Sequence, residues 1–360
     1  MKILYITPDL TNSGGIARVI SLKTNYFVSV FNYDVHILAA NDINIDFFYD
    51  FNEKIQWHTI PNSKRSLLFL WNYLRLIKKV ISEEKPDKII VCDAVLWVSI
   101  PWFIKTKIPI LFETHVSKFL KKTDSQSKID KLKQKAIHSL KQITLNKFDK
   151  VIFLSQENSN EWKLKNVEII PNPISFTSQK ISTFQNKKAI AVTRHSYEKG
   201  LDRLLFVWKK IILKYPDWTL DIYGQWENDL TYQQMASNLQ ISSHVNFIAP
   251  TKDIQTKYLE SSLYLMTSRS EAFPLVLIEA MNCGLPCIAY DCPCGPRAIL
   301  NDKEDGFLIE NGNENDFVNT IITLIENEYL RLKIGENAKI SSQKYNIDSV
   351  MQIWKKLLED

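Results

Sequence analysis

The sequence has 360 residues, of which 45% are hydrophobic and 24% are charged, and its formal net charge is +5 at pH 7. These proportions exclude a chain that is disordered throughout, and no run approaches the ~18 consecutive apolar residues of a membrane span. The length is natural for two α/β domains that each bury their own core. Residues 1–7 form a strand-like run without the features of a signal peptide, so we expect a cytoplasmic protein.

In the first half of the chain, short β-rich apolar runs alternate with amphipathic stretches of helical period. The runs predict strands at Lys2–Thr7, Asp34–Ala39, Lys88–Cys92, 109–113 and 150–154. The amphipathic stretches predict helices at 16–31 and 66–82. A linker is predicted at 168–173, where Pro171 and Pro173 restrict the residues before them to extended conformations.

The second half repeats this alternation. We predict strands at Lys188–Val192, Thr219–Tyr223, Val245–Ile248, Leu263–Met266, 287–290 and 306–309. Helices are predicted at Leu201–Lys214, Glu314–Glu326 and 349–358. Such alternation is typical of parallel sheets with helices on both faces and ligands at the carboxyl ends of the strands. The sequence therefore predicts two doubly wound α/β domains that face each other across a cleft.

The five cysteines, an odd number, fit a reducing compartment better than a disulfide framework. Four of them, at 283, 287, 292 and 294, follow a C-x3-C-x4-C-x-C spacing that is not typical of zinc sites. The histidines have no metal-ligand spacing, and no D-x-D motif is present to hold Mg²⁺ or Mn²⁺. We therefore expect neither a metal nor a cofactor.

A glycine pair, Gly14 and Gly15, lies between the first strand and the first helix. Without a Cβ the backbone can approach a ligand closely, and the N-terminus of the following helix favours a phosphate. On its own such a turn is more typical of an ordinary strand–helix connection. The dinucleotide fingerprint G-x-G-x-x-G is absent, which argues against a Rossmann-type dehydrogenase or epimerase.

Two carboxylates, Glu271 and Glu279, lie at either end of a loop that enters an apolar helix. If Phe273, Pro274 and Leu275 open this helix, with Pro274 in its first turn, the free amides nearby face any anion held in front. A carboxylate accepts hydrogen bonds from both hydroxyls of a diol, so one glutamate suits a ribose and the other a hexose. A bare pair at this spacing would instead favour a loop acid and an exposed helix glutamate.

The residues around this pair resemble the E-x7-E donor site of the retaining, GT-B-fold glycosyltransferases of family 4. The accompanying sequences are LIEAM at 277–281, GLP at 284–286 and GP at 295–296, while Ala272 replaces a glycine found in many members. Residues 291–296 look most like bacterial members that build lipid-linked oligosaccharides, capsules and lipopolysaccharide. The resemblance implies an acceptor-binding domain at 1–170, a nucleotide-sugar-binding domain at 171–345, and a helix at 346–360 that crosses back.

Two cations, Arg194 at the end of a predicted strand and Lys199 before the next helix, suit the charge that grows on a departing nucleoside diphosphate. They resemble the family's diphosphate clamp, the alternative being a surface pair. His115 lies where related enzymes carry a histidine that contacts the donor hexose near its anomeric carbon, although a lone histidine is also compatible with a satisfied loop residue. Gly14 and Gly15 coincide with the family's glycine-rich loop, which implies a phosphate of the donor or the acceptor.

Residues 117–150 contain ten lysines and three acidic residues. A stripe at helical spacing is predicted to face the core and consists of Ile129, Leu132, Ala136, Leu140 and Ile143. A basic ridge on the neighbouring face consists of Lys128, Lys131 and Lys135. The ridge is compatible with a solvated helix face, whereas the resemblance implies an anionic membrane and a lipid-diphosphate acceptor. Nucleic acid is not expected, because no aromatic residues are interleaved with the lysines.

Together, the motifs and the resemblance predict a retaining hexosyltransferase that moves a GalNAc, Gal, GlcNAc or Glc residue from a nucleotide sugar, expected to be a UDP-sugar, to a lipid-linked or cell-surface glycan. We expect it to be peripheral on the inner face of the cytoplasmic membrane. The predicted catalytic residues are His115, Arg194, Lys199 and Glu271. The predicted donor-binding residues are Gly14, Gly15, Phe273, Leu275 and Glu279. The alternatives are an inactive GT-B partner subunit and a Rossmann-type sugar-nucleotide epimerase or dehydrogenase.

Overall fold

The computed structural model describes residues 1–39, 46–59, 67–93, 97–117, 128–226 and 230–360. The chain forms two compact units. The first consists of Met1–Pro173 together with Val350–Asp360, and the second is Ile174–Ser349.

The first unit contains a sheet in which every described strand pairing is parallel. Its described strands are β1 (Lys2–Thr7), β2 (Asp34–Ala39), β3 (Gln56–Thr59), β4 (Lys88–Cys92), β5 (Ile110–Glu113), β6 (Lys150–Phe153) and β7 (Val167–Ile169). Their order in the sheet is β3-β2-β1-β4-β5-β6-β7. The order reverses between β1 and β4, and ligands of doubly wound sheets bind at the carboxyl ends of the strands beside such a reversal.

Helices connect these strands. They are α1 (Gly15–Ser29), α2 (Leu67–Glu84), α3 (Ile100–Phe103), α4 (Lys128–Leu145) and α5 (Gln156–Asn160). The apolar side of α2 contributes Tyr73 and Ile77 to a core that also contains Phe112 and Phe153 from the sheet.

The second unit repeats the architecture with a parallel sheet in the order β10-β9-β8-β11-β12-β13. Its strands are β8 (Lys188–Val192), β9 (Thr219–Tyr223), β10 (Val245–Ile248), β11 (Leu263–Met266), β12 (Cys287–Asp291) and β13 (Phe307–Glu310). Its helices are α6 (Leu201–Lys214), α7 (Thr231–Asn238), α8 (Ile254–Leu259), α9 (Leu275–Asn282), α10 (Pro296–Ile299), α11 (Glu314–Glu326) and α12 (Glu328–Ser342). Here the order reverses between β8 and β11.

The last helix, α13 (Ile347–Glu359), begins in the second unit and from Val350 onward belongs to the first. Trp354 is buried and its ring meets that of Phe27 edge-on, with the centroids 6.4 Å apart. Tyr33 donates its hydroxyl to Glu359 at 2.9 Å. In the part of the chain that the structure describes, no helix has the length and apolar character needed to cross a bilayer.

The structure confirms the predicted alternation of strands and helices, with bounds that differ by no more than about two residues, the usual uncertainty of helix and strand ends. The sequence pattern gives no bounds for β3, β7 or α12, nor for the short helices α3, α5, α7, α8 and α10. The linker prediction is wrong for Glu168 and Ile169, which belong to β7. Both missed strands are short and only partly buried, so they lack a continuous apolar run. In α12, Gly335 disfavours a helix by propensity.

Candidate functional site

Lys199 and Glu271 form an ion pair beyond the carboxyl ends of β8 and β11. The Lys199 Nζ donates to both carboxylate oxygens of Glu271, at 2.7 and 2.8 Å. Ser268 Oγ donates to Glu271 Oε1 at 2.7 Å, and only 9% of the Glu271 side chain is exposed. The cavity beside the pair measures about 10 Å³, roughly what one water molecule requires. In this structure, therefore, the charges of Lys199 and Glu271 are paired with each other.

Gly200 explains why Lys199 and Glu271 meet. It has a φ of 65°, in the left-handed region that favours glycine, and it precedes α6 as the N-cap. A Cβ at this position would lie 2.2 Å from the carbonyl oxygen of Thr267, which no side chain could tolerate. Thr267 Oγ1 also donates to the carbonyl of Gly200 at 2.9 Å. The loop after β8 is thereby pressed against the loop after β11.

A second ion pair braces the same two loops. Arg269 donates to both carboxylate oxygens of Asp202, at 2.8 and 2.6 Å, and its backbone amide donates to the carbonyl of Glu198 at 2.7 Å. Burial alone would raise the pKa of Asp202, but the hydrogen bond and charge of Arg269 lower it. The sequence analysis missed this pair, because its members are 67 positions apart and belong to no motif.

Glu279 lies in α9 and is fully buried, so the alternative of an exposed helix glutamate is wrong. Ser175 Oγ donates to its Oε1 at 2.7 Å, and the Tyr258 hydroxyl donates to its Oε2 at 3.3 Å. A carboxylate that is held among hydroxyl donors has the chemistry to accept hydrogen bonds from the hydroxyls of a sugar.

The remaining predicted site residues of the second unit are Arg194, Phe273 and Leu275. Arg194 follows β8 and is exposed. Phe273 and Leu275 are each 8% exposed, and the Phe273 ring meets that of Tyr345 edge-on at 5.6 Å. The prediction that Pro274 lies in the first turn is wrong, because α9 begins at Leu275 and Pro274 is its N-cap.

In the first unit, Gly14 and Gly15 lie where α1 begins, after the loop that follows β1. Gly14 is the N-cap of α1, and its amide donates to Oδ1 of Asn12 at 2.8 Å. The φ of Gly14 is −73°, so its backbone conformation does not require glycine. A Cβ there would meet Asn12 Oδ1 at 2.6 Å, so the glycine gives the loop its close packing.

His115 lies beyond the end of β5, within a buried polar network. Its Nε2 lies 3.1 Å from Oε1 of Glu113, and its Nδ1 lies 3.3 Å from Nδ2 of Asn172. With the amide of Asn172 donating, the Nδ1 atom of His115 is the acceptor. The backbone amide of His115 donates to Asp93. Only 4% of the imidazole is exposed.

Lys23 completes this network from α1. Its side chain is fully buried, its Nζ donates to Oε1 of Glu113, and it lies 4.4 Å from the centroid of the Trp354 ring. Burial alone would raise the pKa of Glu113, but Lys23, followed by His115, lowers it to about 2. By contrast, burial raises the pKa of Asp93. A signal for Lys23 was present in the sequence, since it lies among the apolar positions of α1 and thus requires a buried acid.

Two groups among the described residues have the ligand types and spacing of a metal site. The first comprises Cys92, Glu113 and His115, where Lys23 already supplies the cation that pairs with Glu113. The second comprises His36, His58 and Glu84, and here His36 Nδ1 and His58 Nε2 hydrogen-bond to each other at 3.1 Å. Two members of each group thus lie within hydrogen-bonding distance of each other, His115 and Glu113 in the first and His36 and His58 in the second.

The basic stretch forms α4, but the predicted face of this helix is wrong. Ala136 is exposed, and Leu140 and Ile143 are 49% and 53% exposed. The face that packs on the unit contains His138, Gln142 and Leu145 instead.

Gln142 is the main polar anchor of that face. Its amide donates to the carbonyl of Lys163 at 2.7 Å and accepts from the backbone amide of Lys163 at 3.1 Å. The ring of His138 lies 6.3 Å from that of Trp162. Because this face is set by polar contacts, apolar spacing alone selects the wrong side of the helix.

Of the predicted basic ridge, Lys135 is exposed. Residues 118–127 and the side chains of Lys128, Ile129, Lys131 and Leu132 lie outside the described residues. Beside α4, Trp102 and Phe103 of α3 are 44% and 54% exposed. Trp102 donates its Nε1 proton to Thr144 at 3.0 Å, so this aromatic pair borders the exposed apolar residues of α4.

Known families match both halves of the chain. The model described as "Glycosyl transferases group 1" matches residues 176–341, and "Glycosyltransferase Family 4" matches residues 13–177. The chain is 29% identical to an uncharacterized glycosyltransferase of Haemophilus influenzae and 27% identical to the amylovoran biosynthesis glycosyltransferase AmsD of Erwinia amylovora, each over 99% of both chains. A structure of an S. aureus TarM variant with Fondaparinux, alpha-GlcNAc-glycerol and UDP superposes with a TM-score of 0.80 at 16% identity, over 100% of both chains.

The buried ion pair generates a prediction for stability. Glu113→Gln should lower the free energy of unfolding by about 3–5 kcal/mol, because it leaves Lys23 buried without a counter-charge. A Lys23→Met/Glu113→Gln double variant should recover most of this loss. Since folding lowers the pKa of Glu113 from 4.5 to about 2, the pair's contribution is complete above the first value and disappears as the pH falls through the second. Urea unfolding of the three proteins at neutral pH measures the first effect, and its repetition from above pH 4.5 down to about 2 measures the second. Equal stability of wild type and Glu113→Gln at neutral pH would contradict the prediction.

Proposed function

We propose that this chain, which belongs to the family 4 glycosyltransferases and has the GT-B fold, transfers a hexose of the GalNAc, Gal, GlcNAc or Glc type from a UDP-sugar with retention of configuration. The acceptor is a lipid-linked or cell-surface glycan in the biosynthesis of a bacterial polysaccharide, capsule or lipopolysaccharide. Two of the similar proteins support this assignment, since AmsD is named for amylovoran biosynthesis and the TarM variant was crystallised with UDP.

The Lys199–Glu271 pair carries the proposal. It lies beside the strand-order reversal between β8 and β11, where α/β sheets bind nucleotides. When a donor enters, Lys199 moves to the diphosphate together with Arg194. Glu271 then accepts hydrogen bonds from the donor hexose, and Glu279 accepts them from the ribose. In the absence of a donor the pair keeps the Glu271 carboxylate neutralised, which limits the cost of its burial.

Positioning and electrostatics account for the chemistry. The acceptor hydroxyl attacks the anomeric carbon on the side of the leaving group while the bond from that carbon to the diphosphate oxygen breaks. The acceptor proton passes to the departing diphosphate, whose growing negative charge Arg194 and Lys199 stabilise. His115 supports the oxocarbenium-like state. In this scheme the cations of the protein take the place of a divalent metal.

The first unit serves the acceptor, and α4 is the element that brings it to a membrane. The exposed apolar residues Ile137, Leu140 and Ile143 add to the role proposed for the lysines, since an interfacial helix combines apolar and basic faces. The exposed rings of Trp102 and Phe103 beside it suit the headgroup region of a bilayer. The enzyme is therefore proposed to be peripheral on the inner face of the cytoplasmic membrane.

Substitutions of Glu271 and Glu279 should affect different measured quantities. Glu279→Ala should weaken UDP binding and Glu271→Ala should mainly lower kcat, because each loses a charge-assisted hydrogen bond of about 1.5–3 kcal/mol with a different part of the donor. Calorimetric titration with UDP and steady-state kinetics separate the two effects. Glu336→Ala, which removes an exposed carboxylate of α12, is the control. Wild-type kinetics in both variants would overturn the donor site, and wild-type protein that binds UDP without transfer would favour an inactive partner subunit.

The cationic clamp predicts that activity survives EDTA. Arg194→Ala or Lys199→Ala should lower kcat roughly 10²-fold or more, as for other groups that stabilise developing charge. Lys209→Ala removes an exposed lysine of α6 and should have no effect. The measurement is the rate of UDP release with and without chelator. Loss of activity in EDTA that Mn²⁺ restores would show that a metal performs this role.

The membrane role of α4 can be tested with a triple variant that combines Lys128→Glu, Lys131→Glu and Lys135→Glu. This variant should bind anionic liposomes roughly 10²-fold more weakly than wild type, since each lysine near such a surface contributes about 1 kcal/mol. Transfer to a lipid-diphosphate acceptor should fall, while hydrolysis of the donor continues. The control is a second triple variant that makes the same charge change at exposed lysines of the second unit. It combines Lys209→Glu, Lys303→Glu and Lys333→Glu. Liposome co-sedimentation compares the two triple variants. If both bind like wild type, α4 is a solvated helix.

A further inference from the structure

The segment before β3 forms an aromatic pocket that none of the proposed donor-site residues lines. Its cavity measures about 340 Å³, at the lower end of the range for small-molecule sites. Its walls include the rings of Phe47, Tyr49, Phe51 and Trp57, with Asp50 and Glu53 at the rim. The four rings are partly exposed, and both acidic residues are exposed.

The rings of this pocket hold one another in place. Phe47 stacks on Trp57 with the centroids 4.6 Å apart and the planes at 25°. Phe51 meets both of them edge-on, with a centroid distance of 5.0 Å in each case. These offset and edge-on arrangements are the preferred geometries of aromatic pairs. The cluster is therefore a defined surface and not an arbitrary group of loop side chains.

Hydrogen bonds from α1 fix the backbone of the segment. Ser21 Oγ and Asn25 Nδ2 both donate to the carbonyl of Asp50, at 2.7 and 2.8 Å. The backbone amide of Asn52 donates to Oδ1 of Asn25 at 2.7 Å. A pocket that is built before its ligand arrives loses less conformational entropy on binding.

Tyr49 connects the pocket to the glycine-rich loop. Its hydroxyl donates to the carbonyl of Ser13 at 3.0 Å, next to Gly14 and Gly15. The guanidinium carbon of Arg18 lies 5.8 Å from the centroid of the Tyr49 ring. The aromatic pocket thus shares a wall with the loop that is proposed to face the phosphates.

We propose that the aromatic pocket binds a neutral pyranose ring of the acceptor glycan. Aromatic faces pack against the C–H faces of a sugar ring, while carboxylates at the rim accept hydrogen bonds from its hydroxyls. The charge of Glu53, which is exposed, repels uronic acids and other anionic sugars, so the pocket selects neutral rings. This inference rests on the proposed function for the identity of the glycan as acceptor, but sugar binding at the pocket can be measured without it.

Saturation-transfer NMR on the full chain tests the proposal, with methyl glucoside, methyl galactoside and N-acetylglucosamine as neutral probes and glucuronic acid as the anionic probe. We expect saturation of the ring protons of at least one neutral probe and a much weaker signal from glucuronic acid. Trp57→Ala should weaken the binding of that neutral probe, measured by titration of its signal, about tenfold, which is the effect of losing one aromatic contact. Trp71→Ala is the matched control, because Trp71 is 74% exposed on α2, outside the pocket.

Glu53→Gln keeps the test decisive if Trp57→Ala does not fold, since Glu53 is exposed and the change is nearly isosteric. This variant should gain a signal from glucuronic acid and keep those of the neutral probes. UDP binding, measured on the same proteins, should not change. The proposal that the pocket binds sugar would be overturned if Trp57→Ala kept the wild-type sugar signals, or if Trp71→Ala lost them equally. Failure of the wild type to bind UDP would instead count against the proposed function.

Discussion

The close approach of Gly200 to Thr267 is the constraint on which the arrangement of the second unit's site depends. With any side chain at Gly200, the loops after β8 and β11 would have to separate, because a Cβ would overlap the Thr267 carbonyl. The separation would remove Lys199 from Glu271 and would also strain the Arg269–Asp202 pair. A backbone contact without charge thus determines where two charged groups lie, which is why the motif around Lys199 includes a glycine.

The first unit solves a related problem with buried charges. Lys23 lies in the core because its ammonium group pairs with Glu113 and contacts the ring of Trp354. Glu113 in turn faces the imidazole of His115. Through Asn172 the same imidazole contacts the segment where the chain leaves the first unit, and through Trp354 the network contacts the helix that returns to it. Removal of one charge from such a network costs more than its individual hydrogen bonds suggest, because the remaining groups stay buried. The position of His115 therefore depends on residues from several parts of the chain.

Sequence reasoning predicts those parts of this protein that depend on local pattern. Strands such as β1 and β9 follow from their apolar runs, and helices such as α6 and α11 follow from their period, because burial selects these patterns directly. It does not predict α12, which packs where Gly335 meets Gly284 backbone to backbone; a Cβ on Gly335 would lie 2.2 Å from the Gly284 carbonyl oxygen. Nor does it predict Asn172 beside His115 or Ser175 beside Glu279. Such contacts depend on the tertiary fold, and one sequence contains no information on which distant polar residues meet.

Helix α4 shows how a correct period can give the wrong face. The stripe through Ala136, Leu140 and Ile143 has helical spacing, yet these residues are exposed and the face through Gln142 packs on the unit. Burial of that face satisfies two backbone groups of Lys163, whereas an apolar face would leave them without these bonds. The apolar side chains then remain in water at a cost that a lipid surface would relieve. The exposure of these apolar residues contradicts the sequence prediction. It also gives α4 the combination of apolar and basic groups that an interfacial helix requires.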